Sequence, residues 1–181
     1  MEFRAITPGD APAVQELFVS VFSQAEGEGE GALVGRLAGD LMAHAGSRDL
    51  YGFLAADGDR LLGALFFSRL TFESDVDAFI LAPVAVHTGY QGRGIGRALI
   101  THGLGQLRRD GVELVTTYGD PAFYSRVGFA PLAQTLIRAP LALSRPEGWL
   151  GQSLSGDRIE AIPGPCSCVA PLDNRSEERR V

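Results

Sequence analysis

The chain has 181 residues, 45% hydrophobic and 21% charged, which suits one globular domain with a full core, or a domain with a small extension. A net charge of −6 disfavours general nucleic-acid binding and makes a cationic partner easier to accept, although solubility alone asks for a charge of that size. No apolar run approaches membrane-spanning length and the first residues lack a signal-peptide core, so a cytoplasmic protein without a membrane partner is expected.

Glu2–Ile6 alternates and reads as a first strand. Thr7-Pro8-Gly9-Asp10 is a helix start: Thr7 can cap, Pro8 suits the first helical position, and Asp10 completes a capping-box-like pair. Val14, Leu17, Phe18, Val21 and Phe22 then recur at helical spacing and read as core. From Gln24 to Gly31 the pattern breaks. Glu26, Glu28 and Glu30 alternate with glycines, which reads as a flexible acidic loop, either simply solvated or a lip that attracts a cationic amine. A second helix follows with Leu33, Leu37 and Leu41 on one face. Leu50–Ala56 and Arg60–Phe67 form a hairpin around Asp57-Gly58. Thr71–Asp77 is polar and reads as a loop. Ala78–Val86 is an apolar strand, and Pro83 within it removes a ladder donor, favouring a bulge or an edge.

The stretch Tyr90-Gln91-Gly92-Arg93-Gly94-Ile95-Gly96-Arg97 follows that strand and opens a helix running to about Arg109. Strand, glycine loop and helix N-terminus present free amides and a positive dipole end to a phosphate or pyrophosphate. Arg93 and Arg97 add positive charge. A Walker A loop needs a lysine, and all 16 basic residues here are arginine. A dinucleotide fingerprint needs a third glycine where Arg97 stands. Gln91-x-x-Gly94-x-Gly96, preceded by Pro83-Val84-Ala85-Val86, resembles motif A of the GNAT acetyltransferases. The resemblance implies that Gln91, Gly92, Arg93, Gly94, Ile95, Gly96 and Arg97 hold the pyrophosphate of acetyl-CoA. It also implies a bulged, splayed strand at Val84, Ala85 and Val86 that pairs with the pantetheine arm, a free strand N–H polarising the thioester carbonyl.

Asp110-Gly111 ends the helix, and Val112–Tyr118 supplies the next strand, which a right-handed crossover makes parallel to the one before. Pro121 opens a short helix that Gly128 closes. Tyr124 followed by Gly128-Phe129 resembles GNAT motif B, in which the tyrosine protonates the departing CoA thiolate. Where the family often carries an Asn, this chain has Thr117. Some members carry a Glu base on the strand before the loop; Ile80 stands there, leaving His87, Asp77, Glu73, Asp120 or ordered water as candidates. The resemblance covers about residues 1–132, is closest to the bacterial YhbS-like branch, and implies an α/β (α+β) fold. Its central sheet is mixed and mainly antiparallel with a parallel splayed strand pair, helices lie on both faces, and a short β-rich extension follows. It implies direct attack by a primary amine, of a small molecule or a peptide, with acetyl-CoA as cosubstrate and no metal. The contrasting reading is an acyl-CoA-binding sensor or interaction domain without turnover, which needs no acid.

Residues 133–181 form a C-terminal extension, with a strand at Leu136–Leu143, a turn over Leu150–Asp157, short strands at Arg158–Ile162 and Ser167–Ala170, and a frayed tail from about 173. It is a candidate for edge cover, for a wall of the acceptor pocket, or for a homodimer contact. Cys166 and Cys168 alternate on one strand face; two thiols make a poor zinc site, and neighbouring strand positions make a poor disulfide, so buried, reduced cysteines are expected.

Overall fold

The structure is a computed structural model that describes residues 1–156 and 158–173. In chain order the strands are β1 (Glu2–Ala5), β2 (Leu50–Asp57), β3 (Arg60–Phe72), β4 (Ala78–Val86), β5 (Leu114–Tyr118), β6 (Ala130–Pro131), β7 (Trp149–Ser153) and β8 (Cys166–Cys168). The helices are α1 (Ala11–Glu26), α2 (Glu28–His44), α3 (Ile95–Arg109), α4 (Pro121–Tyr124) and α5 (Ala170–Asp173). The strands form one sheet in the order β1-β2-β3-β4-β5-β7-β6, with β8 added to β3. Pairs β1–β2, β3–β8, β5–β7 and β6–β7 are antiparallel, and β4–β5 is parallel, as the crossover through α3 requires. This is the expected mixed, mainly antiparallel α/β fold.

The chain divides into two compact units. Residues 1–66 and 83–103 make the first, and residues 67–82 with those from Leu104 onward make the second.

The first unit opens on a carboxylate. Asp10 accepts both Arg4 guanidinium nitrogens (2.7 and 2.9 Å), the Thr7 amide (2.8 Å) and the Thr7 hydroxyl (2.8 Å). The Arg4 bonds first, then the Thr7 amide, hold its carboxyl well below the usual carboxylate range. The expected helix start is a single 3₁₀ turn at Pro8–Asp10, after which α1 begins at Ala11. Val14, Leu17, Phe18 and Val21 are buried, and Phe18 stacks on Phe66 at 5.9 Å.

The acidic stretch is not a loop. Helix α1 runs to Glu26, Gly27 turns the chain at φ 101°, and α2 starts at Glu28, so Glu26, Glu28 and Glu30 all lie on helices. One residue with positive φ suffices to break a helix when it is glycine. Glu28 and Glu30 occupy the first turn of α2, where negative charge faces the positive end of the dipole. Close packing of α1 against α2 rests on Gly31, Gly35 and Gly39, four residues apart. A Cβ on Gly31 would lie 1.8 Å from Ser23 Oγ and 2.6 Å from the Val19 carbonyl oxygen; one on Gly35 would lie 2.2 Å from Val19 Cγ2.

In the second unit β3 continues five residues past its expected end, to Phe72, because β8 pairs with it at Leu70↔Cys168, Thr71↔Ser167 and Phe72↔Cys166. The segment read as a turn, Leu150–Ser153, is strand β7. Its glycine, glutamine and serine suggested a turn, but β5 pairs on one side and β6 on the other, and tertiary pairing overrides weak β-propensity. Trp149 and Leu150 are buried there, the Trp149 indole N–H donating to the Ile137 carbonyl at 2.9 Å. Leu136–Leu143 and Arg158–Ile162 are not strands; a single bridge, Ile137↔Ile162, is what forms. Ala170 belongs to α5 rather than to the last strand, and the tail beyond Asp173 lies outside the described residues. Cys166 and Cys168 are free thiols, half-buried rather than buried, and burial pushes them up to about 11 and about 12.

Candidate active site

In the first unit the final residues of β4 lead into a 3₁₀ turn at Thr88–Tyr90, and then the glycine loop. Gly92 (φ 76°) and Gly94 (φ 80°) occupy the left-handed region, which side chains adopt only under strain, so the alternation of glycines is a backbone requirement. Nothing lies within 4 Å of a Cβ on Gly92, and at Gly94 only Arg97 Nη2 does, at 3.6 Å: the loop borders open space. Gln91 is part of the scaffold, its amide Nε2 donating to the Val86 carbonyl at 3.0 Å and tying the loop to the strand end. The helix ladder opens with Ala98 N–H on the Gly94 carbonyl at 3.0 Å, so the amides of Ile95, Gly96 and Arg97 have no carbonyl of their own helix to bond. Ile95 and Gly96 are buried, Arg93 and Arg97 exposed. This arrangement can take an anion on backbone amides with mobile guanidinium groups beside it.

Two residues outside the expected set join this end. The Tyr90 ring carries Arg93 at 5.0 Å and Arg60 at 5.7 Å, and the Arg60 guanidinium also bonds the Tyr90 hydroxyl. Position next to Gln91 was the only signal for Tyr90; Arg60 comes from the hairpin and had none.

In the second unit β4 and β5 pair from Ala78↔Leu114 to Leu81↔Thr117, and the pairing stops there, while β4 continues to Val86. Pro83 follows directly, removing a donor at the point where a splay is expected. Thr117 is fully buried and its hydroxyl donates to the Leu81 carbonyl at 2.9 Å. Asp120 caps α4 by accepting the Ala122 amide at 2.9 Å, and Pro121 fits the first helical position. α4 thereby presents Tyr124. Its carbonyl accepts the Phe129 amide at 3.2 Å, and its ring meets Phe123 and Phe129 edge-on at 5.0 and 5.8 Å. Gly119 is required beneath it, since a Cβ there would lie 2.5 Å from Tyr124 Cε2. The residue is half-buried; burial pushes the phenol up, and a hydrogen bond with Thr117 opposes that.

Three of the base candidates are engaged structurally. His87 Nδ1 accepts the Gly89 amide at 3.1 Å, Asp77 is ion-paired with Arg69 at 2.8 Å, and Asp120 is the α4 cap. Glu73 lies beside Gly164, and Ile80 is buried and apolar. Among the described residues no group of three or more His, Cys, Asp or Glu is placed to hold a metal ion, and no helix is long and apolar enough to cross a membrane.

Residues 48–131 match the acetyltransferase (GNAT) domain family. The chain is 31% identical over 141 residues to the uncharacterized N-acetyltransferase YjhQ of Escherichia coli K12, covering 75% of this chain and 77% of that protein. It is 36% identical over 140 residues to the uncharacterized N-acetyltransferase YhbS of the same strain, covering 76% and 78%. Among solved structures it is similar to Escherichia coli YhbS in complex with CoA, with a TM-score of 0.79 and 27% identity over 95% of this chain and 91% of that one. A Brucella melitensis GNAT acetyltransferase in complex with acetyl-CoA shares the fold, with a TM-score of 0.74 and 24% identity over 95% and 97%.

Proposed function

The chain belongs to the GNAT N-acetyltransferase family and is an acyltransferase, and on that premise we propose that it moves an acetyl group from acetyl-CoA to a primary amine by direct attack. The observation that carries the reading is the loop ahead of α3, where two left-handed glycines border open space beside first-turn amides that have no carbonyl of their own helix to bond. Gln91, Gly92, Arg93, Gly94, Ile95, Gly96 and Arg97 hold the pyrophosphate, backbone amides taking the oxygens and the two arginines the residual charge. Val84, Ala85 and Val86, beyond the last β4–β5 pair, offer backbone groups to the pantetheine arm, and an N–H there stabilises the oxyanion of the tetrahedral intermediate. Tyr124 gives its proton to the leaving thiolate; a phenol raised by burial remains a competent acid because the proton is needed only as charge develops on sulfur. Positioning supplies much of the rate, about 7–11 kcal/mol in favourable cases. Asp77, Asp120 and His87 Nδ1 are engaged by other groups, which favours Glu73 or ordered water as the acceptor of the amine proton. The net charge of −6 favours a cationic acceptor, and two free thiols fit a reducing cytoplasm.

The test is isothermal titration with acetyl-CoA, run on the wild type and on Gly94→Glu. Binding by the first and none by the folded second is the expected result. A folded wild type that does not bind acetyl-CoA would remove the loop as a CoA site and the proposal with it.

A further inference from the structure

Arg60 and Arg93 come from different elements of the first unit, the start of β3 and the glycine loop, and meet on one aromatic ring. The Arg93 guanidinium stands 5.0 Å from the Tyr90 ring centroid and that of Arg60 5.7 Å, and Arg60 Nη1 also donates to the Tyr90 hydroxyl. The ring itself is fixed: the Tyr90 amide donates to the His87 carbonyl at 2.8 Å, and the His87 ring meets it edge-on at 5.5 Å. Among the described residues no carboxylate pairs with Arg60 or Arg93, so two like charges gather on a single ring without a counter-charge. The Tyr90 hydroxyl accepts from Arg60, and its own proton goes to no acceptor among the described residues, which leaves an O–H able to donate. Beside them lies an open hollow of about 620 Å³ lined by Asp57, Asp59, Arg60, Leu61 and Tyr90. Of its two carboxylates, Asp57 is taken by the Met1 ammonium at 3.2 Å, and Asp59 is exposed, where water and salt screen it. Arg97 keeps to the loop, its Nη2 being the atom nearest a Cβ on Gly94 at 3.6 Å, whereas Arg93 turns to Tyr90.

We propose that Arg60, with Tyr90 and Arg93, forms a second anion subsite that takes the ribose 3′-phosphate of coenzyme A and makes the protein select CoA over its 3′-dephospho form. This rests on the glycine loop being the CoA site. The ligand group follows from the donors. A phosphate monoester is close to a dianion at neutral pH and has three oxygens outside its ester bond, which guanidinium forks and a phenol O–H match. The pyrophosphate is met by the loop amides and leaves the Arg60 charge unused. The pantetheine arm and the adenine are neutral, so the 3′-phosphate is the one remaining anion of the molecule. Arg93, with its backbone in the loop and its guanidinium over the ring, links the two subsites, and Arg60 serves the 3′-phosphate alone.

The experiment is isothermal titration of wild type, Arg60→Ala and Tyr90→Phe with CoA and with 3′-dephospho-CoA, two ligands that differ by that phosphate alone. Wild type is expected to bind CoA about tenfold or more tightly than the dephospho form, as a charge-assisted contact would give. Arg60→Ala is expected to weaken CoA about tenfold and to leave dephospho-CoA where wild type has it, so that the preference largely disappears. Tyr90→Phe keeps the ring but loses both the bond to Arg60 and the phenol donor, and should likewise cut the preference while sparing dephospho-CoA. A residue that merely braced the loop would weaken both ligands equally. That result for Arg60→Ala overturns the inference, as does a wild type that binds the two ligands alike. A folded wild type that binds neither overturns instead the reading of the glycine loop as a CoA site. Should Arg60→Ala not fold, Arg60→Gln, which keeps a donor for Tyr90 and removes the charge, decides by the same comparison.

Discussion

Gly31→Ala tests the packing of the two long helices, because the added methyl has nowhere to go. Its Cβ would lie 1.8 Å from Ser23 Oγ, 2.8 Å from Ser23 Cβ and 2.6 Å from the Val19 carbonyl oxygen. Ser23 Oγ can rotate away, but the other two atoms are fixed to the α1 backbone, and ordinary contact begins at 3.4 Å. The helices must therefore separate by about 1 Å, and overpacking of this kind costs about 1–3 kcal/mol. Alanine also gains about 1 kcal/mol of helix propensity over glycine, which masks part of the loss. Gly105→Ala is the matched control: it lies inside α3, and nothing approaches its Cβ within 4 Å, so it gains the propensity with no clash. The gap between the two variants isolates the packing cost, and thermal melts should separate them by roughly 2–4 °C per kcal/mol. Gly105→Ala should melt above wild type and Gly31→Ala well below Gly105→Ala. Equal melting temperatures for the two variants would refute the close approach of α1 and α2 at Gly31.

The Asp10 carboxylate should confer a pH-dependent part of stability. Its folded-state pKa lies below the ordinary 3.8, so its contribution is whole above that value and is lost as pH falls through the folded pKa. Asp10→Asn should cost about 1 kcal/mol at neutral pH, and urea titrations should show the gap to wild type closing below about pH 4. A gap that persists unchanged in acid would show that shape rather than charge matters there. Gly119→Ala should displace the Tyr124 ring, since its Cβ would meet Cε2 at 2.5 Å, and a shift of about 1 Å can cost 10²-fold in turnover. Acetyl-CoA titration should remain near wild type; full thiol release by the variant would exclude ring position as a determinant.

The parts of this protein that chemistry constrains tightly were readable in its sequence. Ala78–Val86 is β4 to the residue, because its apolar β-branched run ends at a glycine loop that permits no other element. Gly92 and Gly94 stand at positive φ, where a sequence with alternating glycines after a strand must place them. Less legible were features set by distant partners. The glycines after Gln24 read as flexibility, although Gly27 alone is a break, while Gly31 and Gly35 are contact points against α1. Their spacing of four was visible in the sequence, but acidic neighbours pointed to a loop. β7 and the last five residues of β3 exist because other strands pair with them, and no local pattern of hydrophobicity carries that information. Arg60 reaches Tyr90 across thirty residues, beyond any motif's span.

The addition of β8 to the end of β3 has a consequence for how the chain is made. Every segment of the first unit has been synthesised once residue 103 is complete, whereas Leu70–Phe72 waits for Cys166–Cys168 to emerge from the ribosome. Through more than ninety residues of elongation, at about 5–20 residues per second, the far end of β3 is an open strand edge carrying buried-type side chains such as Leu70 and Phe72. Nascent chains stalled between Leu107 and Pro165 should therefore be the ones that recruit chaperones or aggregate, and release of Cys168 should mark the point at which they stop doing so.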